Sequence, residues 1–219
     1  MRSAMLEIKH LTIQQQDQVL MERLSLQVAS GAIATLAGAS GSGKSTLLSY
    51  LVGDLDPAFE ATGELWLNSE RLDGLPIQAR GVGILFQDDW LFPHWSVGQN
   101  LAFALPAAVR GAAARRDRVE QALSDVGMAG FHDRDPLTLS GGQRARVSLM
   151  RALLAQPRAL LLDEPFSKLD ASLRSQFRQW VFEQITRLGI PTVMVTHDPA
   201  DAPQGGQMYD IQQWKPHRV

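Results

Sequence analysis

Residues 38–46 read GASGSGKST, and this stretch decides the fold. It fits the pattern G-x-x-x-x-G-K-[ST] through Gly38, Ala39, Ser40, Gly41, Ser42, Gly43, Lys44 and Ser45, with Thr46 next. An apolar run at 32–37 precedes it and a helical pattern at 45–51 follows, so the context predicts strand, loop and helix. Glycines let backbone N–H groups converge on phosphate oxygens. We predict a phosphate-binding loop; the alternative is a flexible Gly/Ser loop that binds nothing.

Three side chains of this loop have predicted roles toward a nucleoside triphosphate. Lys44 would reach the β and γ phosphates, and the Ser45 hydroxyl would be a ligand of Mg²⁺. Thr46 lies one residue further into the helix, where it can contact the α phosphate.

Composition limits the classes of protein to which the chain can belong. It has 219 residues, 45% of them hydrophobic and 20% charged, which is typical of one large globular domain or a core with a lobe. The net charge of −2 provides no basic field, so we expect no nucleic-acid partner. Cysteine is absent from the sequence, which excludes disulfides. No apolar run approaches the roughly 20 residues of a membrane helix, so a partner would have to hold the protein at a membrane.

The order of predicted elements indicates an α/β protein. Apolar residues alternate in residues 6–8 and 24–28, and short apolar runs occur at 63–67, 82–86, 159–162 and 192–195. Helical spacing occurs at 112–126, 141–155 and 171–188. We predict a P-loop NTPase core with a mostly parallel sheet (about 1–87 and 159–219), an N-terminal antiparallel β subdomain and an inserted helical lobe (about 88–158).

Residues 160–165 read LLLDEP and put two carboxylates where a buried strand ends. Ligands of α/β sheets gather at the carboxyl ends of strands, so Asp163 and Glu164 should face the phosphates. Asp163 suits the Mg²⁺ coordination sphere, and Glu164 can act as general base toward a water. The alternative is a pair of turn carboxylates before Pro165.

A second glycine-rich helix start occurs at 138–146, TLSGGQRAR. Ser140 is a favourable N-cap, and the N–H groups beside Gly141 and Gly142 can point at a phosphate. Gln143 adds a side-chain donor. An ordinary N-capped helix is the alternative.

With these motifs in place, residues 5–200 resemble the ATP-binding subunit of ABC transporters. The pieces follow one another in the family's order: the phosphate loop, Gln87 after VGILF, LSGGQ at 139–143, LLLDEP at 160–165, the turn at 167–170 and T-H-D at 196–198. A phosphate loop alone marks a very large superfamily, whereas LSGGQ followed by LLLDEP is much more specific.

The resemblance implies a use for both glycine-rich starts. In this family two copies pair head to tail and trap two ATP molecules, so Ser140, Gly141, Gly142 and Gln143 would complete the ATP site of a second copy, with Asp170 crossing the interface. Gln87 corresponds to the glutamine that touches Mg²⁺ and water, and His197 to the histidine at the γ-phosphate. Each of these two also has a structural alternative, as a strand-end glutamine or a packing histidine.

Three features depart from the family pattern. Residues 14–17 read QQQD, where an aromatic residue that stacks on adenine is expected. Lys168 stands where a small residue is common. The chain ends at Val219, so we expect no C-terminal regulatory domain.

The stretch after Gln87, DDWLFPHWSVGQNLAFAL, contains Trp90, Leu91, Phe92 and Trp95. It is either the surface that receives a membrane permease or a loop whose aromatics fold back into the lobe. It resembles binding-protein-dependent importers, as does Phe166, especially the branch serving ferric iron, sulfate, polyamines and thiamine and its short Ynj-type subunits.

The resemblance therefore implies an ATPase that uses ATP and Mg²⁺ to power an ABC importer. Its partners would be a second copy, a permease and, indirectly, a solute-binding protein, at the cytoplasmic face of the inner or plasma membrane. The alternatives are a soluble ABC-type ATPase of assembly or repair, an exporter ATPase, a P-loop kinase, which leaves LSGGQ without a role, and a degenerate binding module.

Overall fold

The computed structural model describes residues 5–86, 88 and 90–216, apart from the side chains of residues 171–173. Its strands are β1 (Met5–Gln15), β2 (Gln18–Ala29), β3 (Ile33–Ala37), β4 (Glu60–Leu67), β5 (Glu70–Arg71), β6 (Val82–Leu85), β7 (Ala159–Asp163), β8 (Thr192–Thr196) and β9 (Gln207–Asp210). Its α-helices are α1 (Lys44–Val52), α2 (Ile77–Arg80), α3 (Val97–Ala104), α4 (Ala112–Asp125), α5 (Gly141–Leu154) and α6 (Ala171–Leu188).

The first sheet is antiparallel, with the strand order β2-β1-β4-β5. Leu6, Ile8, Leu11 and Ile13 of β1 are buried, while most of the residues between them are at least partly exposed. This alternation is expected of a sheet with one face on the core. The sheet accounts for the β-rich N-terminal region that the alternation in sequence predicted.

The second sheet has the order β6-β7-β8-β3-β9. Strand β8 pairs in parallel with both β7 and β3, and β3 pairs in parallel with β9. The residues of β8 are all buried, as are the first four residues of β3 and of β7. Burial on both faces explains why these strands appear in the sequence as continuous apolar runs.

The register of the parallel strands brings their carboxyl ends to one edge. Asp163 at the end of β7 pairs with Val195, and Ala37 at the end of β3 pairs with Thr196. The segments that follow these strands, 38–43, 164 onward and 197 onward, therefore leave the sheet at the same edge. This edge is where an α/β sheet binds its ligands.

The chain divides into two compact units. Unit 1 comprises Met1–Ile84, Arg158–Glu164 and Ile185–Val219, and unit 2 comprises Leu85–Pro157 and Pro165–Gln184. The sequence-based boundaries assigned all of 159–219 to the core, whereas residues 165–184 group with the helical unit. Packing explains the difference, because the Phe166 side chain is fully buried and its ring lies 6.5 Å from Phe177 and 6.0 Å from Phe182.

Unit 2 has a hydrophobic core of its own. The core is built from α3, α4 and α5 and contains the buried side chains of Val97, Leu101, Val119, Leu123, Val147 and Met150. Within the described part of the chain, no helix is long and apolar enough to cross a membrane.

Candidate nucleotide-binding site

The phosphate loop of unit 1 connects β3 to α1, as its motif predicts. Gly43 is the last residue before α1 and has φ 95°, a conformation that side chains rarely adopt. A Cβ at this position would come within 2.8 Å of Met21 Cε and 3.0 Å of Leu20 Cγ. A Cβ at Gly38 would lie 2.5 Å from Ile211 Cγ2. Close packing therefore disfavours a side chain at both positions, and at Gly43 the backbone conformation disfavours it as well.

Lys44 crosses the inside of the loop. Its ammonium group donates to the carbonyl oxygens of Gly38 at 2.7 Å and Ala39 at 2.8 Å, and the residue is only 8% exposed. In the same loop, the Ser42 hydroxyl is buried without a hydrogen-bond partner. A buried polar atom without a partner is unfavourable unless a ligand or water completes it. The loop thus concentrates donors in a small volume, as phosphate binding requires.

Asp163 and Ser45 are in contact. The Ser45 hydroxyl donates to the Asp163 carboxylate, so the serine at the start of α1 meets the acid at the end of β7. Burial raises the pKa of Asp163, and the neighbouring Glu164 carboxylate raises it further, while Lys44 and Ser45 act in the opposite direction. The net effect is a raised pKa, caused mainly by burial and secondarily by repulsion between the two close carboxylates. A divalent cation at this position would relieve that repulsion.

These residues fit a magnesium–nucleotide complex. Among the described residues, no group of three or more His, Asp or Glu side chains is arranged to hold a metal ion. Mg²⁺ is commonly held by one or two protein oxygens together with substrate phosphates and waters. Ser45 and Asp163 supply two such oxygens beside the loop. Gln87, the third magnesium ligand that the family resemblance implies, lies outside the described residues.

Glu164 and His197 form a close pair at the same edge. The Nδ1 atom of His197 lies 3.1 Å from Oε2 of Glu164. Glu164 has φ 47°, and its N–H donates to the Val195 carbonyl at 3.0 Å. Positive φ is uncommon for glutamate and is often found at functional sites. Unit 1 therefore brings together the phosphate loop, both carboxylates and the histidine.

A buried pair behind His197, which the sequence did not suggest, holds the histidine segment. The Thr196 hydroxyl donates to the Asp201 carboxylate at 3.1 Å and accepts from the Asp198 N–H at 3.0 Å. Asp201 is 2% exposed. The sequence alone does not indicate that Thr196 and Asp201 interact, because only the turn between them brings their side chains together.

The LSGGQ segment opens α5 in unit 2. The Ser140 hydroxyl accepts from the Gln143 N–H at 3.2 Å, and the Gln143 side-chain oxygen accepts from the Ser140 N–H at 2.9 Å. This reciprocal capping box is a common way to start a helix. A Cβ at Gly141 would meet only an Arg144 nitrogen at 3.9 Å, and one at Gly142 would lie 3.4 Å from the Lys168 carbonyl. The start of α5 thus has an open side at Gly141.

The turn at 167–170 also belongs to unit 2. The Lys168 ammonium lies 3.8 Å from Asp88, and the Asp170 carbonyl accepts from the Arg174 N–H. The Asp170 carboxylate acts electrostatically on Arg146 of α5. The turn is therefore linked to α6 through its backbone and to the LSGGQ helix through the charge of Asp170.

The aromatic segment after Gln87 is partly exposed. Trp90 is 70% exposed, and the rings of Phe92 and Trp95 lie 4.7 Å apart. Phe103 of α3, which sequence reasoning did not single out, is 63% exposed and lies 5.4 Å from Phe92. Leu91 instead packs against the core of unit 2. We call Trp90, Phe92, Trp95 and Phe103 the aromatic surface.

Two side chains fix the aromatic surface. Asn100 accepts from the Phe92 N–H at 2.8 Å and donates to the Phe92 carbonyl at 3.1 Å. Arg151 donates to the Trp90 carbonyl at 2.8 Å, and its guanidinium lies 5.4 Å from the Phe92 ring centre. The rings are thus held on the surface by polar contacts to their own backbone.

The hairpin at residues 14–17 has no aromatic ring. Gln16 and Asp17 form the turn between β1 and β2, and Gln14 donates to Glu60 at 2.9 Å. The departure from the family pattern that the sequence indicated therefore remains in the fold.

The fold and this site define a class: a P-loop nucleoside triphosphatase with an inserted helical unit. Comparison with known proteins identifies the family. The model of the family described as ABC transporter matches residues 21–167. The chain belongs to the ABC transporter family.

Relatives among curated proteins agree with this assignment. The chain is 53% identical over 210 residues to an uncharacterized ABC transporter ATP-binding protein, YnjD, of Escherichia coli (strain K12), covering 96% of each. It is 41% identical over 182 residues to a probable sulfate/thiosulfate import ATP-binding protein, CysA, of Chlorella vulgaris, covering 83% of this chain and 76% of that one. It is 40% identical over 197 residues to an Fe(3+) ions import ATP-binding protein, FbpC 1, of Haemophilus influenzae (strain ATCC 51907 / DSM 11121 / KW20 / Rd), covering 90% and 59%.

A solved structure supports the fold. The chain is similar to the ATP-binding cassette MJ0796, in a dimeric post-hydrolysis state bound to ADP and Pi, with a TM-score of 0.82, 25% identity and 97% coverage of each chain. The predicted α/β fold and the resemblance to ABC ATP-binding subunits are thereby confirmed. The protein is an ATPase that uses ATP with Mg²⁺.

Proposed function

We propose that this chain is the ATP-hydrolysing subunit of an ABC importer, and that it works as a pair of copies held by a permease at the cytoplasmic face of the inner or plasma membrane. The observation that carries the chemistry is the Glu164–His197 pair, 3.1 Å apart beside the phosphate loop. The direction of transport is supported by the names of two relatives, which are import ATP-binding proteins.

Hydrolysis transfers the terminal phosphoryl group of ATP to water. The water oxygen forms a bond to the γ-phosphorus as the bond to the β–γ bridging oxygen breaks, and Glu164 accepts the water proton. His197 contacts the γ-phosphate and orients the Glu164 carboxylate through Nδ1. Lys44 exchanges the Gly38 and Ala39 carbonyls for β- and γ-phosphate oxygens. Ser45, Asp163 and, by the family resemblance, Gln87 would hold Mg²⁺, which would supply neutralisation of the phosphate charge.

The LSGGQ segment serves the ATP of the other copy. The N–H groups of Gly141 and Gly142 are first-turn donors of a 14-residue helix, and they act with the positive end of the helix dipole. Ser140 and Gln143 shape this start through their capping box, and Asp170 crosses the interface. The proposal is supported by the dimeric state of the similar ATP-binding cassette.

The aromatic surface receives the permease. Four large rings that stay partly exposed, with Arg151 and Asn100 beneath them, provide an apolar patch with a polar base. Exposed apolar patches of this kind mark sites of protein interaction. The docking site is therefore Trp90, Phe92 and Trp95, extended by Phe103, while Leu91 supports them from the core.

The test is recovery of the tagged protein from native membranes, with its partners identified by mass spectrometry. We expect a membrane-spanning permease together with a solute-binding protein. Phe103→Ser should reduce recovery of the permease, while Met208→Ser, which changes an exposed apolar residue of β9, should not. Recovery of a soluble assembly or repair partner, with no permease, would overturn the transport proposal and leave the ATPase chemistry in place.

A further inference from the structure

Unit 2 contains a cavity of about 240 Å³ that none of the ATP chemistry uses. It lies between the end of α4, the middle of α5 and the first half of α6. The residues that matter for its chemistry are Asp125, Arg146, Gln176, Phe177 and Trp180. Asp125 and Gln176 are exposed, so the cavity is accessible from solvent.

Two buried donors in this cavity have no partner. They are Nε of Arg146 and Nε1 of Trp180. Across the residues that the structure describes, only four buried side-chain polar atoms lack a hydrogen bond, and these two line the same cavity. A buried donor without an acceptor is unfavourable, so such atoms usually indicate a missing ligand or water.

The buried end of the cavity is cationic and favours an anion, whereas the Asp125 carboxylate lies at its exposed side. Arg146 is 8% exposed, and its Nη1 donates to the Val126 carbonyl at 3.2 Å. Burial lowers the pKa of Arg146, and the Asp170 carboxylate opposes this shift. Arginine nevertheless stays protonated in proteins, so the unpaired Nε belongs to a buried cation.

The size and walls of the cavity favour an organic ligand over water alone. Since one water occupies about 30 Å³ in the liquid, two donors would need only a small part of this space. The rings of Phe177 and Trp180 stack at 5.7 Å with an angle of 14°, and Phe177 is 4% exposed. One end of the cavity therefore presents two hydrogen-bond donors without acceptors, and aromatic rings form a wall beside them. This combination is typical of small-molecule sites.

We propose that this cavity binds a small carboxylate with an apolar body, such as an aromatic carboxylate. The carboxylate accepts from Arg146 Nε and Trp180 Nε1, and the apolar body contacts Phe177. Asp125, which accepts from Gln121 at 2.7 Å, keeps dicarboxylates away from the mouth. Because Arg146 stands on α5, which begins at the LSGGQ segment, an occupant also contacts the helix proposed to reach the partner's ATP.

The binding is tested with benzoate and the wild-type chain, independently of ATP hydrolysis. In a ¹H–¹⁵N NMR titration, the Trp180 indole N–H should shift in a saturable way. The other four tryptophans, Trp66, Trp90, Trp95 and Trp214, are internal references that should not follow this curve. Benzamide should bind at least about tenfold more weakly, because a hydrogen bond between charged groups is replaced by a neutral one.

Two matched variants test whether the Trp180 indole donor contributes to benzoate binding. Trp180→Phe keeps an aromatic ring and removes the indole donor, and it should weaken benzoate binding about tenfold, measured by calorimetry. Trp66→Phe, in unit 1, should bind benzoate like the wild type. If Trp180→Phe does not fold, NOEs from benzoate protons to the Phe177 ring in the wild-type chain provide the decision.

Three results would overturn the proposal: no saturable Trp180 shift with benzoate, equal binding of benzoate and benzamide, or NOEs that place benzoate elsewhere. Loss of ATPase activity in any preparation does not bear on it, because every readout here is binding. If binding is established, a benzoate-dependent change in ATPase rate that is absent from Trp180→Phe would add regulation to the site.

Discussion

His197 Nδ1 lies 3.1 Å from Glu164 Oε2, and each residue is the first one after one of two adjacent parallel strands. Asp163 pairs with Val195, and the Glu164 N–H donates to the Val195 carbonyl. Backbone register thus brings the two residues to the same edge of the sheet. A general base whose position is fixed in this way requires little reorganisation to meet a water.

Glu164→Gln should retain ATP binding and lose hydrolysis. The amide keeps the size and the contact with His197 but cannot accept the water proton, so we expect turnover to fall by at least about a hundredfold. With MgATP the variant should accumulate as a dimer, measured by light scattering. Glu183→Gln, an exposed change on α6, is the matched control. A variant that stays monomeric at saturating MgATP would contradict the two-copy site.

His197→Ala should slow turnover about a hundredfold with little change in the KM for ATP. The imidazole contributes to the transition state by orienting Glu164 and contacting the γ-phosphate, whereas the phosphate loop provides most of the binding. Steady-state phosphate release measures both parameters. His10→Asn is the control, since His10 is exposed and its φ of 50° is tolerated by asparagine. Unchanged turnover would make His197 a structural residue only.

Lys44→Ala should abolish hydrolysis and weaken ATP binding about tenfold or more, because a charge-assisted contact to the phosphates is lost. Binding of a fluorescent nucleotide measures the affinity, and phosphate release measures the rate of hydrolysis. Lys9→Ala is matched to it, since Lys9 is a partly exposed lysine that pairs with Glu7 at 3.0 Å. Retained turnover in Lys44→Ala would show that the γ-phosphate lies elsewhere.

Asp73→Asn should destabilise the protein at neutral pH by about 1 kcal/mol. Burial raises the pKa of Asp73, but the Arg71 guanidinium at 3.0 Å and the Leu65 N–H at 3.1 Å outweigh it, and the net pKa is lowered. A lowered carboxylate pKa stabilises the fold above the unfolded value near 3.9, and this is lost as pH falls through the folded value.

The measurement for Asp73 is urea unfolding of the wild type and the variant between pH 7 and pH 3. The difference in unfolding free energy should be full at pH 7 and should shrink below about pH 4. Asp17→Asn, in the exposed turn, should show no such difference. A difference in unfolding free energy that stays constant from pH 7 to pH 3 would mean that the variant has not lost an interaction of ionised Asp73 with Arg71.

Much of the fold could be predicted from sequence because its central strands are apolar runs beside a motif of known local geometry. Strand β9 was not predicted, since Gln207, Met208 and Asp210 are exposed and only backbone pairing with β3 defines it. The grouping of 165–184 with the helical unit could not be inferred from sequence, because the burial of Phe166 depends on partners more than ten residues away.

The candidate site, like the fold, could be predicted from sequence only in part. The loop, the two carboxylates and His197 follow strand ends, so their meeting at one edge could be inferred from the alternation of elements. Phe103 could not be linked to Phe92, because only the fold of α3 brings their rings together. The carbonyl contacts of Lys44 and the buried Thr196–Asp201 pair depend on loop conformations that residue types alone do not specify.

The contacts of Lys44 have a consequence for how nucleotide arrives. Its ammonium donates to two carbonyls of its own loop. Binding is therefore an exchange of ligands around a cation, in which tethered neutral oxygens are displaced by phosphate oxygens. A polyphosphate that spans the loop can displace both carbonyls at once, which should favour it over a single orthophosphate.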